Sequence, residues 1–398
     1  MRPDAHAERS DHAEEEKTPS SPPASSSVDP QDIDDVIGFL SHDDVSIQLH
    51  ALRLVQGLTG EQQVVHHLAA KTSTLVPALL QHVPKERSLS RLALTSLVNV
   101  SREPRVLEHL LEIKMCNRAM DYLRERTCPG NEDLLVMLLA NVTADERGAE
   151  QLLQIGQGAK EGLHLAFLLG YFLKYSNTNT NTSTDLNTDA DDAFEHVASI
   201  LPNATVFKAG RQVVLEPGRG ALQALASQLD SDNALRREGC AGAIKNCFFC
   251  CEEDGTEQDI AEEEDALNVI LGLLCGTGAS KKKAAEEVRE LLAEGMYCLA
   301  KSDVVRAKLW RMNAVDLLKK GYEDEENVTV CEALEGCAEF FLQDGFEDGE
   351  GEESGEEGGE KGGEGEGGIE DEDRGGGGND KEIHPRELQE RCVIEEIH

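Results

Sequence analysis

The chain repeats itself, and the repeat constrains its fold more than any single motif does. "LLVMLLANVT" (134–143) is apolar for seven positions and then meets Asn141, and "LALTSLVNVS" (92–101) says nearly the same thing 42 residues earlier, ending on Asn99. Counting from Asn141, Gly57 in "LRLVQGLTG" stands at minus 84 and Asn203 in "HVASILPNATVF" at plus 62. Asn246 in "GAIKNCFF" follows 43 residues on, Cys298 in "LAEGMYCLAKSD" after 52, and Phe340 in "LEGCAEFFLQ" after 42. The two long steps each contain a polar excess: the Asn/Thr-rich stretch 174–192 and the acidic, Lys-rich stretch 252–283. Seven units of 42 to 43 residues with two insertions are therefore expected.

Within a unit, apolar residues recur at helical spacing, as at Leu107, Leu110 and Leu111, and few stretches alternate with period two. A period near 42 with two or three helices per unit is the signature of an armadillo or HEAT solenoid, in which each unit buries its apolar face against its neighbours. The expected fold class is thus all-α: a right-handed solenoid of seven repeats over residues 31–343. Residues 174–192 are read as a low-complexity surface loop and 252–283 as a linker.

The two ends differ in composition. Residues 1–30 are rich in Ser, Pro and Glu, and residues 344–398 are mainly Gly and acid. Neither can bury enough apolar surface to offset chain entropy, so both are expected to be disordered. The formal net charge of −39 argues against direct nucleic-acid binding, because such a surface repels phosphate. No secretory signal or run of eighteen apolar residues is present, which points away from membranes and toward the cytoplasm. "LHLAFLLGYFL" (163–173) reads as a buried helix.

Thr59, Ser101, Thr143 and Thr205 each stand two residues beyond an anchor, and "TGEQ" (59–62) and "TADE" (143–146) match the capping box. These hydroxyls are read as N-caps of the helices that follow. The asparagines admit two readings. Their amides cap backbone groups where one unit turns into the next, or they line a concave surface and pair with an extended partner's main chain, for which a donor and an acceptor on one side chain are suited.

Arg236, Arg237 and Lys245 fall in one expected helix beside Asn246. Against an acidic background they form either a surface salt-bridge set or a positive spot for a partner's carboxylate. Eleven cysteines without a secretory signal are expected as thiols. Cys240, Cys247, Cys250 and Cys251 invite a metal reading, but a single Cys-x-x-Cys is weak and small thiols on one helix face pack well in a core. No metal or cofactor is expected. No Gly-x-Ser-x-Gly, phosphate loop or metalloprotease helix occurs, so the chain is not expected to be an enzyme.

The phrases "SLVNVS", "LLANVT" and "ILPNAT" resemble the signature that ends the third helix of armadillo repeats. More specifically, "HVASILPNATVFKAGRQVVLEP" followed by "RREGCAGAIKNCFF" resembles the HGH-one homolog family, with Arg236, Arg237, Gly239, Ile244, Lys245, Asn246, Cys247 and Phe249 at the shared positions. That resemblance implies a non-catalytic adaptor that helps translation elongation factor two fold, with the cytosolic chaperonin and heat-shock machinery as further partners. Neither nucleic acid nor membrane is expected as a partner, and the chain is expected to be a monomer. The candidate contacts are Asn99, Asn141, Asn203 and Asn246 with Arg236, Arg237 and Lys245. A nuclear-import receptor or a general armadillo scaffold is the alternative. Import receptors usually pair each Asn with a Trp one turn earlier, and here those positions hold Thr95, Met137, Ser199 and Gly242.

Overall fold

The computed structural model describes residues 30–178, 192–276 and 284–343. The readings made of the first 29 residues, of most of the 174–192 stretch and of 344–398 lie outside the described residues. The described residues are helical throughout, with no strand among them.

Seven helices form the spine: α1 (Val45–Leu58), α2 (Arg87–Val100), α3 (Glu132–Thr143), α4 (Val197–Thr205), α5 (Ala234–Phe249), α6 (Glu286–Leu299) and α7 (Val328–Gln343). Each packs on the next in that order, and two further α-helices separate each pair in the chain except α5 and α6, between which there are three. Between α2 and α3, for example, run Pro104–Glu112 and Met115–Glu125. This is the three-helix unit of an armadillo-type solenoid. All seven anchors of the repeat, from Gly57 to Phe340, lie on the seven spine helices.

The apolar spacing explains the packing. On α3, Leu134, Leu135, Leu138, Leu139 and Val142 are buried, one stripe of a 3.6-residue helix, with α2 on one side and α4 on the other. Each such side chain, removed from water, contributes about 1.5–3 kcal/mol. "LHLAFLLGYFL" is helical as expected, within Leu163–Thr178, and buries Leu165, Leu168, Leu169 and Phe172.

Close approaches fix the unit's corners. A Cβ on Gly148 would lie 2.0 Å from the Val142 carbonyl oxygen, and one on Gly210 would lie 2.0 Å from that of Ala204. Both glycines stand seven residues after an anchor asparagine, where the next unit's first helix doubles back onto the end of the spine helix. Gly239 is tight for a different reason: α5 crosses α4 there, and an added Cβ would meet the Ala198 oxygen at 2.1 Å.

The reading of 252–283 as a linker is corrected. Cys251–Asp254, Glu257–Glu262 and Glu264–Cys275 are helices that carry Ile260, Leu267, Ile270, Leu271 and Leu274 into the core. They take the place of a repeat's first and second helices, the first of them in two pieces, with most of their acidic residues toward solvent and the Asp254 side chain buried. Only 277–283 of that stretch lies outside the described residues.

Candidate protein-binding groove

The asparagines and hydroxyls belong to one device. Asn99 Nδ2 donates to Thr59 Oγ1 at 2.8 Å, Asn141 to Ser101 Oγ at 2.9 Å, Asn203 to Thr143 Oγ1 at 3.5 Å, and Asn246 to Thr205 Oγ1 at 3.0 Å. Each amide therefore reaches back one repeat to the hydroxyl that follows the previous anchor. The hydroxyl in turn donates within its own helix end: Thr59 to the Gln56 carbonyl, Ser101 to that of Val98, Thr143 to that of Ala140 and Thr205 to that of Leu201. Asn141 and Asn246 also donate directly to the Val98 and Pro202 carbonyls. The result is a ladder that satisfies the last turn of one spine helix from the side chain of the next.

The capping-box reading of the hydroxyls is overturned by this geometry. The spine helix does not stop at the anchor but continues to it and beyond, so Thr143 and Thr205 are its last residues and Thr59 and Ser101 its C-caps. A hydroxyl in the last turn faces a carbonyl of its own helix rather than the amides of the next. The helix that starts at Glu146 is capped instead by Asp145, whose carboxylate accepts from the Arg147 amide at 3.0 Å.

Across α3, α4 and α5 lies an open groove of about 610 Å³, lined by Met137 and Asn141, by Ser199 and Asn203, and by Leu235 and Glu238. Asp145 and Arg102 stand at its rim. Arg147 holds the Asp145 carboxyl below the usual carboxylate range, chiefly through their hydrogen bond, so that carboxylate is ionised and matched by the guanidinium beside it. Met137 and Ser199 sit one turn before their anchors, at the positions where import receptors carry tryptophan. Leu235 and Glu238 were not among the expected contacts; they stand 11 and 8 residues before Asn246, and that offset from the anchor was the available signal.

The structure divides the expected contact residues. Asn141 and Asn203 line the groove. Asn99 is exposed but belongs to the unit before it, and Asn246 is buried at 5% exposure, committed to the ladder. The basic group is not a positive spot. Arg236 is buried, ion-paired with Asp192, within 4.0 Å of the Phe172 ring centre, and bonded to Gln228. Arg237 folds back to the Ser231 and Asp232 carbonyls, and Lys245 pairs with Glu294 on α6. Each cation is spent on holding neighbouring segments together.

Cys240, Cys247, Cys250 and Cys251 are all buried. Burial pushes the Cys240 and Cys251 thiols up to about 12, and that of Cys247 higher still. They do not share one continuous helix, because α5 ends at Phe249 and a new helix opens at Cys251. Among the described residues no group of three or more His, Cys, Asp or Glu is placed to hold a metal ion, and no helix is long and apolar enough to cross a membrane.

Residues 125–301 match the model of a domain of unknown function, DUF383. Protein HGH1 homolog from Xenopus laevis is 22% identical over 275 residues, covering 68% of this chain and 71% of that protein. Among solved structures, a computationally designed armadillo repeat protein for modular peptide recognition shares 18% identity at a TM-score of 0.42, covering 78% of this chain and 98% of that one. A designed armadillo repeat protein in complex with the peptide (KR)4 shares 19% identity at 0.41 over the same shares. The fold assignment rests on the helix order and the repeat described above rather than on those scores. Family resemblance and fold together fit a protein-binding scaffold, and this chain is similar to the HGH1 homolog family.

Proposed function

We propose that this chain is a non-catalytic adaptor that holds translation elongation factor two during folding and links it to the cytosolic chaperonin and heat-shock machinery, in the cytoplasm. The client and the chaperonin come from the family resemblance. The observation that carries the reading on the molecule itself is the open groove across α3, α4 and α5. It presents apolar Met137 and Leu235 beside the amides of Asn141 and Asn203, the mixture that protein interfaces use at their centres. Asn141 gives both amide hydrogens to the ladder and offers a partner its carbonyl oxygen, whereas Asn203, with one ladder bond at 3.5 Å, can offer an acceptor and a second N–H to a main chain.

The test uses residues that face the groove without holding repeats together. Purified full-length protein carrying Met137→Glu with Ser199→Arg is compared with the wild type for binding to purified elongation factor two, and for capture of chaperonin subunits. Loss of both, with an unchanged far-ultraviolet circular dichroism spectrum, supports the groove as the client surface. Equal binding by wild type and variant overturns the groove assignment, and failure of the wild type to bind overturns the adaptor role.

A further inference from the structure

The last repeat leaves open a face that every earlier repeat covers. Aligning α7 with α6 at the 42-residue period sets Phe341 on Leu299, Leu342 on Ala300, Ala338 on Met296 and Leu334 on Leu292. In α6 all four of those residues are fully buried, and in α7 Leu334 and Phe341 are buried too, so the difference lies at the other two positions. In α7, Leu342 is 69% exposed and Ala338 is exposed as well. With Val315, Leu318 and Tyr322 of the preceding helix Ala314–Glu323, they border a largely apolar groove of about 430 Å³. A solenoid normally closes such an end with a repeat whose outer face is polar. Here the outer face has kept core-like side chains, so something covers it.

We infer that the occupant is the C-terminal segment of the same chain, residues 383–398. The argument is one of composition and tether. From 347 to 382 the chain contains a single large apolar residue, Ile369; then Ile383, Leu388, Val393, Ile394 and Ile397 come within fifteen residues. The intervening 344–382 segment starts at the groove itself, one residue past Gln343. Thirty-nine residues reach at most ~130 Å when fully extended, so length does not limit the return. A ligand tethered within reach of its site acts at an effective concentration on the order of millimolar, which makes even a weak contact populated. Charge is mixed on both sides: Lys319 and Glu335 both line the groove, and the segment carries Arg386 and Arg391 as well as Glu395 and Glu396. The segment thus serves as the missing cap, and the Gly/Glu stretch before it is its tether. This surface is separate from the groove across α3, α4 and α5 and stands whether or not that groove takes a client.

Hydrogen–deuterium exchange on the full chain, on a chain truncated after residue 382, and on a full-length variant with Ile394→Asp and Ile397→Asp tests this. Docking predicts that the 314–323 and 328–343 helices exchange at least tenfold faster in both altered proteins than in the wild type, while α2 to α4 are unchanged. The A338C variant should also form a disulfide with Cys392 under mild oxidation, identified by peptide mapping. Superimposable exchange in all three proteins overturns the proposal, whether the groove then stays open or awaits another protein. A full chain that is dimeric by light scattering, and that becomes monomeric on Leu342→Asp but not on truncation, overturns it in favour of a second copy.

Discussion

Arg211 and Asp254 stand 43 residues apart and meet across a repeat boundary, Nε to Oδ2 at 2.5 Å, with both side chains almost wholly buried. Arg211 also donates to the Thr205 and Val206 carbonyls, so one guanidinium ties the end of α4 to the helix Cys251–Asp254 of the next unit. Removing one member of a buried pair strands the other charge. Arg211→Met is expected to destabilise by about 3–5 kcal/mol, and the double replacement with Asp254→Leu by distinctly less. Urea unfolding of the four proteins in the cycle measures this; a double variant that loses the sum of the two single losses would mean that the pair is not coupled.

The ladder makes a second, independent cycle. Asn246→Ala leaves the buried Thr205 hydroxyl and the Pro202 carbonyl without that donor, at a cost of about 1–3 kcal/mol. Combined with Thr205→Val it should show a coupling energy of about 0.5–2 kcal/mol. Additive losses would put the asparagine's contribution elsewhere than in this bond. The same pair of changes at Asn99 and Thr59 is expected to cost less, because Asn99 is exposed.

Gly239→Ala addresses the helix crossing. The new methyl would fall 2.1 Å from a backbone oxygen, which cannot rotate away as a side chain can. A loss of about 3 kcal/mol or more is expected, at the upper end of overpacking costs. Gly170→Ala is the control, since nothing lies within 4 Å of its added Cβ, and replacing a helical glycine there should be neutral or stabilising by up to about 1 kcal/mol. Thermal melts of the two variants should move in opposite directions or differ by several degrees.

His164, in the helix after Gly162, is buried, and burial lowers its pKa from 6.5 to about 4. The unfolded chain therefore binds a proton that the folded one refuses between those values, so this residue's contribution is fully present above pH 6.5 and is lost as pH falls toward about 4. The loss is on the order of 2 kcal/mol. His82, also buried and also lowered by desolvation, acts in the same direction. His164→Phe should flatten the stability profile between pH 7 and 4 relative to the wild type; an unchanged slope would show that the imidazole is protonated without cost.

The seven units and their order were legible because an asparagine in an apolar helix marks the register in four of them, and the 42-residue period carries it on to Gly57, Cys298 and Phe340. What the spacing could not give was direction. Asn141 and Ser101 are 40 residues apart, and their bond becomes visible only once α2 and α3 are side by side. The same holds for the cations. Arg236 beside an acidic background looks like a retained binding charge until Asp192, at the edge of an apparently dispensable insertion, is found against it. The 252–283 stretch was hidden for a different reason: its carboxylates outnumber the few positions, such as Leu267 and Ile270, that carry the helical stripe. The groove was half legible. Asn141 and Asn203 came from the repeat, whereas Leu235 and Glu238 needed the neighbouring helix to be laid in place.

The ladder ends at Asn246. In the last two units Cys298 and Phe340 take the asparagine's place and Ala300 and Leu342 the hydroxyl's, and the contacts there are of another kind, among them the Tyr297 ring against Phe340 and Arg289 paired with Glu325. The Arg289–Glu325 pair is itself bidentate, both bonds at 2.9 Å, with the Glu325 side chain buried, so it fixes geometry as the amides do, while the ring contact is set by packing. The molecule is therefore joined in two ways along its length, by neutral amides up to α5 and by guanidinium pairs such as Arg289–Glu325 beyond it, so acid that protonates carboxylates would loosen the second half before it touched the ladder.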